Sequence, residues 1–209
     1  MNAPSATPAH RRAFTLVELL VVIAIIVVLA SVGFNMGRNT IIKSHRLADT
    51  NTATNLALGI GNYYGDYSRF PEIGAEKGSA DTRTESTAPL MNVLLAFGPD
   101  GKAQNTRGIR YYSGRTVKGR DSATAFRGLF YSGSSSVELF DVWKKRAPLK
   151  RHYQVIMDTN HDGEIDDPGA NGETVRGVSV LVWSTGRDGK DSGSSDQAEE
   201  NRDNVYSWR

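Results

Sequence analysis

The chain contains no cysteine among its 209 residues, which excludes disulfides, thiolate metal sites and thiol nucleophiles. It also lacks a charge excess, because 25 Lys and Arg against 23 Asp and Glu leave a formal net charge of +2. Bulk electrostatics of this kind do not favour nucleic-acid binding. No H-E-x-x-H, G-x-S-x-G or Walker spacing occurs, so the sequence offers no recognisable catalytic motif. We therefore expect a protein that is not an enzyme and that does not take nucleic acid as a partner.

What the sequence does have is a concentrated apolar segment near its start. Residues 19–30 are an unbroken apolar run, and weaker apolar character extends the segment over 14–34. A helix over 14–34 would be about 31 Å long, close to the thickness of the hydrocarbon core of a bilayer. Arg11 and Arg12 stand just before the apolar edge and favour a cytoplasmic N-terminus.

One acidic residue, Glu18, lies at the start of this apolar segment. An unpaired charge costs about 2.5–3.5 kcal/mol at the centre of a membrane helix and less near the interface, so this carboxylate needs a partner. The surrounding run RAFTLVEL, residues 12–19, resembles the cleavage and methylation motif of type IV prepilins and type II secretion pseudopilins.

The resemblance implies a processing step and an assembly role. A membrane peptidase would cut between Ala13 and Phe14 on the cytoplasmic side and methylate the new amine of Phe14. Glu18 would become the fifth residue of the mature chain and would pair with the N-terminal amine of a neighbouring subunit. The chain departs from the family at Ala13, because the family usually has glycine there, and we expect slower processing as a result.

Other interpretations of the N-terminus stay open. The small residues at 30–32 could form a signal-peptide cleavage site, and the apolar segment could anchor a periplasmic binding protein that forms no polymer. A type IV pilin for adhesion or DNA uptake is a further alternative. The tyrosine-rich stretch at 63–71 and the Gly- and Asp-rich C-terminus resemble the G-type (major) pseudopilins, which favours type II secretion.

Beyond the apolar segment, the pattern predicts an amphipathic helix. Apolar residues recur at steps of three and four on one face, namely Leu56, Ile60, Tyr63 or Tyr64, and Tyr67. We expect the helix to stop before Pro71, which cannot continue it. Several glycines each weaken a continuous helix by up to ~1 kcal/mol relative to alanine, namely Gly33, Gly37, Gly59 and Gly61.

We expect an α+β fold of the pilin-like type, in which a long N-terminal helix packs on a small antiparallel sheet. The helix would have a transmembrane half and an amphipathic half. Residues 137–142, 153–157 and 175–183 are β-branched and aromatic runs that predict strands. The expected divisions are a cleaved leader 1–13, a transmembrane helix 14–34, an amphipathic continuation 35–70, a variable inserted region 71–136, and a sheet with acidic Gly-rich loops 137–209.

The first acidic loop, residues 158–167, follows the first half of an EF-hand-type calcium loop. Oxygen ligands at alternating positions converge on one point, and Gly163 allows the sharp turn that this requires. The ligand candidates are Asp158, Asn160, Asp162, Glu164 and Asp166. Gly169 occupies the position of the bidentate Glu that would close the loop. The alternative is a polar hairpin turn, for which Asn, Asp and Gly are preferred on backbone grounds alone.

The second acidic loop lies near the C-terminus and is similar to the calcium-binding loop of the G-type pseudopilins, a Gly-rich acidic stretch that ends in a Trp, here Trp208. By this resemblance the calcium ligands are Asp188, Asp191, Asp196 and Asp203. Asn204 stands where the family has the second acid of a pair, which predicts weaker binding. The alternative is a solvated tail.

The resemblance also implies location and partners. The chain would be a structural subunit of a pilus-like filament that supports protein export, held in the inner membrane by one pass with a periplasmic globular domain. Its partners would be the prepilin peptidase, copies of itself, minor pseudopilins and the inner-membrane assembly platform.

Overall fold

The computed structural model describes residues 15–73, 81–117, 121–144, 149, 151–167, 173–191 and 201–209, and at 32–39 it describes the backbone alone. The chain divides into two compact units, Met1–Lys43 and Ser44–Arg209. The predicted leader, residues 1–13, lies outside the described residues. The elements in chain order are α1 (Leu16–Tyr67), β1 (Thr82–Glu85), α2 (Ala88–Leu95), α3 (Gly98–Gln104), β2 (Gly128–Ser132), β3 (Ser136–Phe140), β4 (Gln154–Met157), β5 (Glu164–Asp166), β6 (Thr174–Arg176), β7 (Val180–Ser184) and β8 (Val205–Tyr206).

In the first unit, the described residues form the N-terminal part of α1. Its large apolar side chains are exposed, from 81% at Leu16 to 37% at Ile42, so the described residues of this unit form no core around them. No helix in the described part of the chain is both long enough and apolar enough to cross a membrane. The transmembrane segment predicted over 14–34 includes Phe14 and the side chains of 32–34, which lie outside the described residues, and it stays a prediction.

The second unit is built on the amphipathic stripe of α1. Ala53, Leu56, Ile60 and Tyr63 are fully buried at steps of three and four, which is the spacing of one helix face. They share a core with residues of β4 and β7, among them Val155, Met157 and Val182. The predicted stripe is confirmed, with Tyr63 rather than Tyr64 as the fully buried ring, and α1 ends at Tyr67, before Pro71 as expected.

The main sheet has four antiparallel strands in the order β1-β4-β7-β8, and two separate hairpins are formed by β2-β3 and by β5-β6. A helix layer packed on an antiparallel sheet is an α+β arrangement. The expected α+β fold is therefore confirmed.

The strands differ from the sequence predictions in three respects. The edge strand β1 comes from the stretch interpreted as an insertion, 71–136, which also forms α2, α3 and β2, so the sheet does not begin at 137. The predicted strand at 175–183 is two strands, because Gly177 interrupts it with a φ of +72°. The predicted strand at 137–142 corresponds to β3, which pairs with β2 and not with the main sheet.

A buried polar cluster holds α1 against the chain that follows β3. Asp49 is fully buried in α1, and its carboxylate accepts hydrogen bonds from Tyr153 Oη at 2.5 Å and from Trp143 Nε1 at 2.8 Å. A buried carboxylate of this kind stabilises a fold only when its acceptors are satisfied. The cluster therefore fixes where the helix meets the sheet.

Candidate functional site

The N-terminal motif forms the first turn of α1. The backbone N–H of Thr15 donates to Glu18 Oε2 at 2.8 Å, and the backbone N–H of Glu18 donates to Thr15 Oγ1 at 3.2 Å. This reciprocal pair is a capping box, which satisfies two donors that a helix otherwise leaves free at its start. Thr15 Oγ1 also donates to Glu18 Oε2 at 2.9 Å. The carboxylate that the sequence assigns to assembly therefore has a partner within its own chain.

Two further motif residues, Ala13 and Phe14, lie outside the described residues. Cleavage between them, and methylation of Phe14, stay predictions. The pairing of Glu18 with the amine of another subunit likewise stays a prediction.

The first acidic loop connects β4 to β5. Asp158 directly follows β4 and is only 6% exposed, and its Oδ2 accepts a hydrogen bond from Gly163 N at 3.1 Å. Gly163 has a φ of +75°, in the region that favours glycine. The backbone N–H of Asp162 donates to Asn160 Oδ1 at 3.1 Å. The structure thus brings Asp158, Asn160 and Asp162 together around a sharp turn, an arrangement that the calcium-loop and the hairpin-turn interpretations both predict.

Two other candidates of this loop occupy β5. The Glu164 carboxylate pairs with Arg176 Nε of β6 at 2.8 Å, so this side chain is engaged across the hairpin. Asp166 is the last residue of β5 and is exposed. Both residues line a cleft of about 460 Å³ together with Asn160 and Asp162.

Sequence reasoning missed one acid that belongs to this cleft, Asp81, which directly precedes β1. In the β1–β4 pairing Thr82 lies opposite Met157, and the next step of the antiparallel register places Asp81 across from Asp158. The Thr82 and Thr159 hydroxyls lie 3.0 Å apart, which fits this placement. No local pattern could have revealed Asp81, because only the pairing of distant strands brings it to the loop.

The environment of Asp81 is unfavourable for a negative charge. Burial, followed by the carboxylates of Asp158, Asp162 and Asp166, raises the pKa of Asp81 to about 6. The Oδ1 atoms of both Asp81 and Asp158 are buried and have no hydrogen-bond partner among the described residues. A buried carboxylate oxygen without a partner is costly.

The second acidic loop is held to the C-terminal segment by its acids. Asp203 Oδ2 accepts hydrogen bonds from the backbone N–H of Arg187 at 2.5 Å and of Asp188 at 3.1 Å. Gly186 lets the two segments approach, because a Cβ there would lie 2.4 Å from Asp203 O. The Asp203 carboxylate therefore contacts the backbone of the turn that contains Asp188, whose own carboxylate accepts a hydrogen bond from Lys190 N at 2.8 Å. Asn204 is buried beside them, and its Oδ1 has no partner in the described part of the chain.

The other predicted ligands of this loop are not brought to that turn. The Asp191 carboxylate accepts a hydrogen bond from Trp183 Nε1 at 3.2 Å and lies 3.5 Å from Arg83 Nη2, against the main sheet. Asp196 lies outside the described residues. Trp208 Nε1 donates to Asp167 Oδ2 at 3.2 Å, so the C-terminal segment also contacts the end of the first acidic loop.

Among the described residues, no group of three or more His, Cys, Asp or Glu side chains could hold a metal ion as the structure stands. Calcium sites also draw on amide and backbone carbonyl oxygens, which that grouping leaves out. Calcium at either loop stays a prediction.

Comparison with protein families places the N-terminus in a known class. Residues 8–34 match the family model of the prokaryotic N-terminal methylation motif. The chain therefore carries the processing motif of type IV pilin-like precursors, a class that is structural rather than catalytic, is processed by a prepilin peptidase and assembles into pilus-like filaments. The match does not single out the G-type pseudopilins. Comparisons with curated proteins and with solved structures found no match.

Proposed function

We propose that this chain is the precursor of a type II secretion pseudopilin, a structural filament subunit that supports protein export. The observation that carries the proposal is the methylation motif at 8–34, within which the apolar side chains of α1 from Leu16 to Leu29 are exposed. A contiguous apolar surface of this kind marks an interaction site rather than a solvated face. Lipid would cover it before assembly, and the helices of other subunits would cover it in the filament.

The proposed topology follows from the same segment. Arg11 and Arg12 precede the apolar run and favour a cytoplasmic N-terminus, with one pass through the inner membrane. The unit Ser44–Arg209 would lie in the periplasm. The proposed partners are the prepilin peptidase, minor pseudopilins, further copies of this chain and the inner-membrane assembly platform.

The proposed role of Glu18 is to set the register between subunits. In the precursor its carboxylate accepts hydrogen bonds from Thr15. Cleavage before Phe14 would create a charged amine on each subunit, and a charge-assisted bond to that amine is stronger than a bond to a neutral donor. An incoming amine can therefore compete for the carboxylate of Glu18.

We also propose calcium at the C-terminal loop. The Asp203 carboxylate accepts a hydrogen bond from the backbone N–H of Asp188, and the unpartnered Oδ1 of the buried Asn204 supplies a further oxygen. An extracellular site of this type typically holds calcium at about 10⁻⁴–10⁻³ M. Its proposed effect is to fasten the C-terminal segment to the sheet.

A type IV pilin for adhesion or DNA uptake is the second candidate, since the methylation motif serves both classes. The tyrosine-rich end of α1 and the Gly- and Asp-rich C-terminus favour the pseudopilin. The test replaces the major pseudopilin of a secretion-competent host with this chain and measures export of a reporter protein. Restored export would favour the pseudopilin, and a loss of export would favour the type IV pilin.

The test of the proposed class is the N-terminus of the mature protein. We expect mass spectrometry of the chain, coexpressed with a prepilin peptidase, to find N-methylated Phe14 as the first residue. Ala13→Gly, which restores the residue usual in the family, should be processed at least as fast, and the bulky Ala13→Leu should retain the leader. A mature protein that still begins at Met1, or that begins after residue 30, would overturn the proposal in favour of a signal anchor or an ordinary signal peptide.

A further inference from the structure

We propose that Asp81, at the start of β1, completes a calcium site with the first acidic loop, and that this site is distinct from the C-terminal loop. The ligand is a hard divalent cation that takes several oxygen donors. The inference does not rest on the filament function, because it concerns only the folded unit Ser44–Arg209.

Two buried carboxylate oxygens in this region have no hydrogen-bond partner among the described residues. Asp158 is only 6% exposed, and its Oδ1 has no hydrogen-bond partner among the described residues. Asp81 Oδ1 likewise has no hydrogen-bond partner among them. A fold that is satisfied by its own contacts rarely leaves two such oxygens near each other. A bound cation would satisfy both.

The cleft brings several carboxylates together. Asp81, Asp162 and Asp166 line one cleft, and the register of β1 against β4 places Asp81 across from Asp158. Two carboxylates at short range repel each other, and a divalent ion converts that repulsion into attraction.

The two arginines near the cleft do not neutralise its central carboxylates. Arg83 lines the cleft, but its guanidinium pairs with Asp191 at 3.5 Å and lies 4.9 Å from the Trp183 ring centroid. Arg176 is paired with Glu164 at 2.8 Å. Both arginines are engaged elsewhere, so the central carboxylates stay without a counter-charge from these two side chains.

Asp81 would supply the carboxylate ligand that the first acidic loop lacks. The loop supplies Asp158, Asn160 and Asp162 around Gly163, but glycine at 169 leaves it without the acid that closes an EF-hand-type loop. Asp81 approaches from a neighbouring strand and provides the missing carboxylate. Calcium accepts such irregular shells more readily than magnesium, which demands near-octahedral geometry.

The test uses the full chain in detergent, freed of metal by a chelator and titrated with CaCl₂ by calorimetry. Asp81→Asn should weaken calcium binding at this site by about tenfold or more, since one carboxylate ligand is removed. In chelator the same variant should melt at the same temperature as the parent chain or higher, because the substitution relieves repulsion. A residue with only a structural role would lower the melting temperature with and without calcium.

Three companion variants complete the experiment. Asp158→Asn keeps an oxygen for Gly163 N–H and should weaken the same binding step, whereas Asp100→Asn, at an exposed acid, should leave it unchanged. Asp188→Asn should affect only a separate step that belongs to the C-terminal loop. The proposal is overturned if the chain binds no calcium, if Asp81→Asn binds as the parent does, or if Asp188→Asn alone abolishes all binding. Failure of the filament proposal would leave each of these results unchanged.

Discussion

A single carboxylate, that of Glu18, serves two purposes that can be separated by substitution. In the structure it closes the capping box with Thr15, and in the proposed filament its charge pairs with an amine. Caps of this kind contribute about 0.5–2 kcal/mol to a helix. The geometry of the cap depends on an acceptor oxygen, whereas attraction to an amine depends mainly on charge.

We therefore expect Glu18→Gln to keep the start of α1 while impairing filament assembly nearly as much as Glu18→Ala. Glutamine retains the acceptor for Thr15 N–H but carries no charge. Electron microscopy of filaments gives the assembly readout, and hydrogen exchange over the first turn of α1 reports on the cap. Normal filaments from Glu18→Gln would show that the cap, and not the charge, is what assembly requires.

At the scale of elements, two glycines two residues apart in α1 have opposite surroundings. A Cβ at Gly59 would lie 2.6 Å from the backbone oxygen of Tyr111, whereas a Cβ at Gly61 would meet nothing within 4 Å. Gly59 therefore allows the segment around Tyr111 to approach the helix. Gly61 has no such role in the described part of the chain.

The expected outcome is that alanine destabilises one site and stabilises the other. Gly59→Ala should cost about 1–3 kcal/mol, because a new methyl group must displace backbone, and Gly61→Ala should stabilise by up to about 1 kcal/mol through helix propensity. Urea unfolding followed by tryptophan fluorescence measures both. Equal effects of the same sign would contradict the close approach at Gly59.

The same element shows what the sequence can predict and what it cannot. Helical periodicity located the buried stripe through Leu56, Ile60 and Tyr63, because that signal is local to one face. It could not tell Gly59 from Gly61, since the difference lies in a segment about fifty residues away. For the same reason the polar strand β1, with the sequence TRTE, was interpreted as part of an insertion.

In the candidate sites, too, the sequence predicts local turns but not the contacts that distant strands make. The turn at Asp158–Gly163 follows from residue types at fixed spacing, and the structure forms it. Asp81 joins it only through strand pairing, which no spacing rule reports. Asp191 was predicted as a ligand of the C-terminal loop, but the Trp183 indole and Arg83 hold it against the sheet.

At the scale of the whole molecule, two buried tyrosines should make the free energy of unfolding fall at alkaline pH. Burial raises the pKa of Tyr112 to about 12. Burial and then the Asp49 carboxylate raise the pKa of Tyr153 well above 10. In the unfolded chain both phenols ionise near pH 10, so above that pH the unfolded state releases protons that the folded state retains.

The free energy of unfolding should therefore be unaffected by these groups below pH 10 and should fall as the pH rises further. The expected loss is at most about 1.4 kcal/mol per tyrosine for each pH unit. Urea unfolding at pH 8, 10 and 11 measures the slope, and Tyr112→Phe should make it shallower. A slope that Tyr112→Phe leaves unchanged would mean that Tyr112 ionises equally in both states.

The order of strands in the main sheet has a consequence for how the protein is made. The central strand β4 pairs with β1 from far upstream and with β7 from downstream, and β7 pairs with β8, the last strand in chain order. Pairings between such distant segments form slowly, because the intervening chain must close first. During synthesis β8 leaves the ribosome after the other strands of the main sheet, so the sheet is completed only once Val205 and Tyr206 have emerged.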